Sequence, residues 1–207
     1  AEARARQLQS LAMELVMAEE KERQRISQVL HDDLQQLLAA GRLQLQTARD
    51  TLPDSDLLSN VEQILADAVS KSRLLSHELS PPVLRHSGLV AGLQWLARQM
   101  EEQFALLVEL EADADREPEE EAMKAFVFRG VQELLFNVVK HAETRNARLN
   151  VASTDDFLVI TVSDTGKGFD PDLLEPAAGE SGLGLLTLRE RTASVGGSLA
   201  IESAPDR

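Results

Sequence analysis

Cysteine and tyrosine are absent from the 207 residues, and tryptophan occurs once. Without cysteine the chain has no disulfide framework and no thiolate metal site. Aromatic residues make up only 3%, and a core built mainly from Leu, Val and Ala favours helices. Positive charge is also short: 21 Lys and Arg face 35 Asp and Glu, a net charge of −14. Surfaces that bind nucleic acid normally carry a basic stripe, so no nucleic-acid partner is expected. An anionic ligand would need a locally basic pocket. No apolar run approaches the roughly 18 residues of a membrane span, and the opening "AEARARQLQS" is no signal peptide. The chain itself is therefore expected not to insert in a membrane and to be cytoplasmic. It opens inside a helical pattern, so an upstream sensor, with or without a membrane anchor, is expected before it.

The length suits about one to two domains. From the start to about Asp50, Leu8, Leu11, Leu15, Ile26, Leu30, Leu34, Leu37 and Leu38 recur at steps of three and four, which predicts one long helix. "TLPDSD" (Thr51–Asp56) reads as a turn with an N-cap signal. A second amphipathic helix follows through Leu57, Val61, Ile64, Leu65, Val69 and Leu75, ending before Pro81 and Pro82. The apolar stripe of such a hairpin is too long to be covered by itself, and two hairpins pairing as a four-helix bundle would cover it. A homodimer is therefore expected.

Beyond Leu79–Leu89 the pattern changes. A helix over Val90–Phe104 and a strand over Leu106–Glu111 precede an acidic helix start, "EPEEEA" (Glu117–Ala122), whose helix runs to about His141. "ARLNVAS" and "FLVITVSD" read as strands, "GLGLLTLRERTASVG" as a helix and "SLAIES" as a last strand. Helices with an antiparallel sheet make an α+β sandwich. The expected layout is a signalling helix at 1–18, a helical hairpin at 19–80, a linker at 81–92 and an α+β domain at 93–207.

Several short stretches carry chemistry. "DTGKGF" (Asp164–Phe169) puts a carboxylate at a strand end, and its glycines let backbone pass close to a ligand. In "GESGLGL", glycines just before a helix can turn free N–H groups toward phosphate oxygens. In "QELLFNVVKHA", Glu133, Asn137, Lys140 and His141 project from one side of a helix, and Leu134, Leu135, Val138 and Val139 from the other. An amide such as Asn137 is a good Mg²⁺ ligand where phosphates complete the shell, and Lys140 is a countercharge for a triphosphate. Arg145, Lys167, Arg189 and Arg191 are further cations that could offset the net charge. Each stretch alone is equally compatible with a tight loop or a solvated helix. His77 and His86 lack metal-ligand spacing, and Trp95 reads as packing.

In this order and spacing the stretches resemble the GHKL ATP-binding family (gyrase, Hsp90, histidine kinases, MutL) across about residues 93–203, with "NVVKHA" similar to its N-box and "DTGKGF" and "GLGL" to its glycine boxes. The resemblance implies ATP and Mg²⁺ as cofactors. Asp164 would hydrogen-bond the adenine amino group, Asn137 would hold the metal, and Gly166, Gly168, Gly182 and Gly184 would shape the pocket and its lid. Glu133 stands where this family places a carboxylate that activates the nucleophile, with ordering of the metal shell as the other role.

"ERQRISQVLHDDLQQLL" (Glu22–Leu38) is similar to the phosphoacceptor box of sensor histidine kinases of the nitrate-sensor and desaturase-sensor type, as are "SPPVLRHSGLVAGL" and "LRERTASVGG". At about 100° per residue, Gln24, Gln28, His31 and Gln35 would share a polar stripe presenting His31 to solvent. Its imidazole would attack the γ-phosphorus of ATP, with Asp32 orienting or deprotonating the ring. Asp32 and Gln36, four residues apart, could aim a water at a phosphoryl group; in the family this pattern serves dephosphorylation of the partner response regulator. The resemblance implies a protein histidine kinase that passes phosphate to a cognate response regulator with a LuxR- or NarL-type output. An ATP-binding dimeric scaffold or phosphatase-biased module is the alternative, and a GHKL ATPase or serine kinase, which needs no histidine box, a third.

Overall fold

A computed structural model describes residues 2–51, 56–79, 81–113, 116–154, 157–170 and 183–205. It divides into two compact units: Lys21–Pro82, and Ala1–Glu20 together with Val83–Arg207.

The first unit is the helical hairpin. Helix α1 (Glu2–Gln28) continues through a π-helical turn (Val29–Leu34) into α2 (Gln35–Thr51), and α3 (Asp56–Leu79) returns alongside. Small polar residues let the helices meet. The Ser27 hydroxyl donates to the Ser76 carbonyl at 2.9 Å, the Ser76 hydroxyl lies 3.2 Å from the Ser27 carbonyl, and Ser72 donates to the Leu30 carbonyl at 3.2 Å. These serines are buried together with Val69. The periodic apolar residues Ile26, Val29, Leu34, Leu37, Leu43, Val61, Ile64 and Leu75 remain exposed in the single chain, Leu37 by 70% and Ile64 by 65%. The turn over Leu52–Ser55 lies outside the described residues.

In the second unit, α4 (Pro82–Phe104) runs through the stretch expected to be a linker. It kinks at Gly88, whose φ of 86° suits glycine, and the helix beyond the kink is capped from far along the chain. The Glu117 carboxylate accepts the N–H groups of Leu89 at 2.7 Å and Val90 at 2.9 Å, satisfying donors that a helix start leaves open. Leu84, Leu89, Leu93, Leu96 and Met100 of α4 then enter the core. Residues 82–92 are thus the packed start of this helix.

The sheet has the order β1 (Leu107–Asp113), β2 (Asn146–Ser153), β3 (Leu158–Asp164) among the described residues. β2 and β3 pair antiparallel, but β1 and β2 pair parallel, with Leu110 opposite Leu149. The expected all-antiparallel sheet is therefore mixed, because α5 (Glu121–Asn137) is the crossover that a parallel pair requires. Ala147, Leu149 and Val151 alternate inward along β2 and meet Phe128, Val131, Leu135 and Val138. Phe104 packs edge-on against Phe136 with centroids 5.2 Å apart. A second π turn (Val138–Ala142) extends α5, and α6 spans Leu183–Ser194. Residues 198–203, expected as a strand, join no ladder. They run beside the glycine loop instead, where the Ser203 hydroxyl accepts the Phe169 N–H at 3.0 Å.

Within the same unit, Val16 and Met17 of α1 are buried against Ala122 and Phe126 of α5. The leucines 8, 11 and 15 that define the periodicity stay exposed.

Candidate functional site

In the α+β unit the site grows from the end of α5 and the end of β3. Asn137 is the last residue of α5, and the π turn after it delivers Ala142. The chain leaves that turn through Glu143, which has a left-handed φ of 59°. β3 ends at Asp164, whose Oδ1 accepts the Gly166 N–H at 2.8 Å, closing a tight turn. The Lys167 N–H donates to the Ala142 carbonyl at 2.9 Å, and the Lys167 ammonium reaches Glu143 at 2.6 Å. That ammonium holds the Glu143 carboxyl below its ordinary value, first through the hydrogen bond and then through its charge.

Glycine is required here by space. A Cβ on Gly166 would lie 2.2 Å from the Ala142 carbonyl oxygen and 2.7 Å from Asp164 Oδ1. On Gly168, which has φ of 61°, it would lie 2.1 Å from the Ala204 carbonyl oxygen. On Gly184 it would lie 2.7 Å from Glu133 Oε1, so the start of α6 lies against the carboxylate of α5. Glu133, Asn137, Asp164, Gly166, Gly168 and Gly184 therefore belong to one linked set. Gly182 lies outside the described residues. Lys140 and His141 are exposed in the π turn, and the Lys140 ammonium lies 5.7 Å from the Phe136 ring centroid.

One polar atom in this set has no partner. Asn137 Nδ2 is buried and makes no hydrogen bond; leaving such a group unpaired costs about 1–3 kcal/mol. Beside glycine loops whose backbone no side chain blocks, the orphaned atom is an N–H donor and suits an acceptor such as a phosphate oxygen, while the oxygen of the same amide is the atom that could hold a cation. Sequence reasoning missed Ala142, Glu143 and Ser203, which fix the loop. Their signal lies in backbone geometry, since any residue could offer the Ala142 carbonyl.

In the hairpin unit, His31 and Asp32 stand in the π turn, where the Gln35 N–H bonds to the Leu30 carbonyl, an i→i+5 step. The 100° spacing expected to align Gln24, Gln28, His31 and Gln35 does not continue through this turn. His31 is half-buried and not fully presented to solvent, and its Nδ1 is buried without a hydrogen bond, as is Gln35 Nε2. Asp32 therefore makes no hydrogen bond to Nδ1. It lines a shallow cleft of about 220 Å³ with Arg25, Gln28, Val29 and Asp33. Arg25 is held by a two-pronged pair to Glu22 at 2.7 and 2.8 Å, which lowers the Glu22 carboxyl and raises the Arg25 guanidinium. Gln36 is exposed on α2.

Residues 22–84 match a family model described as histidine kinase, and residues 123–207 match one described as histidine kinase-, DNA gyrase B- and HSP90-like ATPase. The sensor histidine kinase MctS of Rhizobium johnstonii is 31% identical over 202 residues; the alignment covers 95% of this chain and 44% of that protein. The chain thus spans less than half the length of that relative. Among solved structures, the blue-light activated histidine kinase EL346 of Erythrobacter litoralis is 17% identical with a TM-score of 0.47, over 81% of this chain and 56% of that one. A histidine kinase domain from the same protein is 15% identical with a TM-score of 0.45, over 94% and 89%. No helix among the described residues is long and apolar enough to cross a membrane. With a histidine-box hairpin followed by a GHKL-type ATP-binding domain, the chain belongs to the sensor histidine kinases of two-component systems, in the nitrate-sensor and desaturase-sensor sub-family.

Proposed function

We propose that this chain is the catalytic core of its kinase: it binds Mg-ATP in the α+β unit, phosphorylates its own His31 and passes the phosphoryl group to an aspartate of a LuxR- or NarL-type response regulator. The observation that carries the reading is the Asp164–Gly166–Ala142 interlock one π turn beyond the unpartnered Asn137. The interlock uses one oxygen of Asp164 to fix the loop, and the other is available to accept the adenine amino group. The Asn137 amide oxygen would hold Mg²⁺, which when bound neutralises charge on the phosphates. Glu133, against the start of α6, orders the metal's shell or accepts a proton.

At His31 a ring nitrogen forms the bond to the γ-phosphorus as the bond to the β–γ bridging oxygen breaks, and ADP leaves. The orphaned Nδ1 has no carboxylate partner in the resting chain, so Asp32 acts only after a side-chain rotation. With Gln36, Asp32 is assigned to positioning the water that removes phosphate from the regulator. The exposed stripe through Leu37, Ile64 and Leu75 supports pairing with a second copy of the hairpin, and an upstream sensor would act through α1.

Incubation with γ-labelled ATP and Mg²⁺ tests this. Label that is acid-labile and base-stable, and missing from His31→Gln and Asn137→Ala, is the expected result. Label that survives in His31→Gln would move the phosphoacceptor elsewhere, and ATP binding with no label at all would leave a scaffold.

A further inference from the structure

The first glycine loop, Asp164–Phe169, is tied down at three of its backbone N–H groups. Asp164 is held at the end of β3, opposite Ala147. Its Oδ1 takes the Gly166 N–H, and the Ala142 carbonyl takes that of Lys167. The third tie lies at the loop's exit. There the Ser203 hydroxyl accepts the Phe169 N–H at 3.0 Å, in a part-buried setting and from 34 residues further along the chain.

The approach is closer than that one bond implies. A Cβ on Gly168 would stand 2.1 Å from the Ala204 carbonyl oxygen and 3.3 Å from Ser203 Oγ, so residues 203 and 204 lie directly against the loop's last glycine. Residues 198–203 join no ladder among the described residues, so no sheet bond substitutes for the hydroxyl. Because the acceptor is a side-chain oxygen, it can be removed with both backbones left intact.

We propose that Ser203 is a positioning residue of the nucleotide site: it fixes the exit of the glycine loop, as Asp164 and Ala142 fix its entry, and so sets where the loop meets the nucleotide. The role rests on the ATP-binding reading above. The plainer account is a hydrogen bond that only stabilises a turn, and the place of the bond separates the two. A loop tied at Gly166 and Lys167 but loose at Phe169 can pivot on those two bonds, and the crowding at Gly168 directs the pivot away from residues 203 and 204. Held at both ends, the loop meets its ligand already ordered; released at the exit, it has to be ordered by binding, which lowers affinity. Ser203 acts only through the loop, so its effect falls on nucleotide affinity and not on the transfer of phosphate to His31.

The test compares Ser203→Ala and Ser203→Thr with wild type in the whole chain, by calorimetric titration with a non-hydrolysable ATP analogue and Mg²⁺ and by the ATP dependence of His31 labelling. Ser203→Ala should weaken analogue binding by about two- to tenfold, the scale of one hydrogen bond. The KM for ATP should rise by the same factor while the labelling rate at saturating ATP is unchanged. Exchange of the Phe169 amide, followed by NMR, should quicken. Ser203→Thr keeps the hydroxyl and should bind as wild type does. Thr154→Ala is the control for stability alone: it removes a hydroxyl bonded to Phe157 in the turn at the far end of β2 and β3, and should lower the melting temperature with affinity unchanged. A change of less than twofold in Ser203→Ala overturns the proposal, as does an equal loss in Ser203→Thr or in Thr154→Ala. A lower saturating rate at unchanged KM also overturns it. Failure of the wild type to bind the analogue refutes the ATP-binding reading itself, whereas wild-type binding with an unaffected Ser203→Ala refutes only the role of Ser203.

Discussion

Replacing Gly166 by alanine adds one methyl group at the most crowded point of the glycine loop. Its Cβ would stand 2.2 Å from the Ala142 carbonyl oxygen, 2.6 Å from the Ala142 methyl and 2.7 Å from Asp164 Oδ1. The first of these is backbone, and Ala142 is itself buried at the end of a π turn, so the strain cannot be relieved by swinging a side-chain tip. The loop has to withdraw. Withdrawal strains the 2.8 Å bond from the Gly166 N–H to Asp164 and the 2.9 Å bond from the Lys167 N–H to Ala142. Overpacking of this kind costs about 1–3 kcal/mol, and each hydrogen bond lost adds about 1 kcal/mol. For the nucleotide, misplacing Asp164 forfeits a charged hydrogen bond worth about 1.5–3 kcal/mol, roughly a tenfold to hundredfold loss of affinity. Calorimetric titration with a non-hydrolysable ATP analogue, alongside thermal melting, reads both. Gly196→Ala is the control: its φ of 83° imposes strain, but nothing lies within 4 Å of the added methyl. It should lower the melting temperature and leave nucleotide affinity unchanged. If Gly166→Ala binds the analogue within about twofold of wild type, a scale below a single hydrogen bond, the placement of Asp164 by this interlock is refuted.

Other consequences are open to test. Ile64→Glu places a charge on the uncovered hairpin stripe. Light scattering should show the dimer's mass falling toward that of one chain while circular dichroism keeps the helix content; an unchanged mass would move the dimer interface elsewhere. The Glu143 carboxyl, lowered by Lys167, should titrate by NMR below its ordinary value of 4.5. A lowered folded value means that the pair's small contribution is present above about 4.5, the unfolded value, and lost as pH falls through the folded one. Lys167→Ala should return the carboxyl to its ordinary range, and no return would remove Lys167 as the cause. Leu149→Ala, at a site 0% exposed in β2, should cost about 2–5 kcal/mol in denaturant unfolding, and a cost under 1 kcal/mol would mean that β2 is not central to the core.

The parts of this protein legible in its sequence are those with a period or a motif. Three- and four-residue apolar spacing marked the long helices, and alternation along 147–153 marked β2. The boxes around His31, Asn137 and Asp164 marked the candidate site because their residue types suit the proposed chemistry: an imidazole for a nucleophile, an amide for a metal, a carboxylate beside glycines. Features made by backbone geometry left no such trace. Both π turns, at Val29–Leu34 and Val138–Ala142, fall on candidate site residues, yet one extra residue per turn hardly disturbs an apolar pattern. The parallel pairing of β1 with β2 depends on where α5 crosses, which strand composition does not encode. The capping of α4 by Glu117 joins residues far apart in sequence. Nothing in the sequence singles out Glu20 from its acidic neighbours; only the approach of Arg129 and Arg191 distinguishes it.

The central claim is that His31 takes the phosphoryl group from ATP held by the α+β unit. Tandem mass spectrometry of the peptide containing residues 22–38, after incubation with ATP and Mg²⁺ and digestion at neutral to basic pH, tests it most directly. Phosphate is expected on the imidazole of His31, absent when Mg²⁺ is chelated and absent in Asn137→Ala. Phosphate on Ser27 with His31 unmodified, or phosphohistidine that forms equally well in Asn137→Ala, would contradict it.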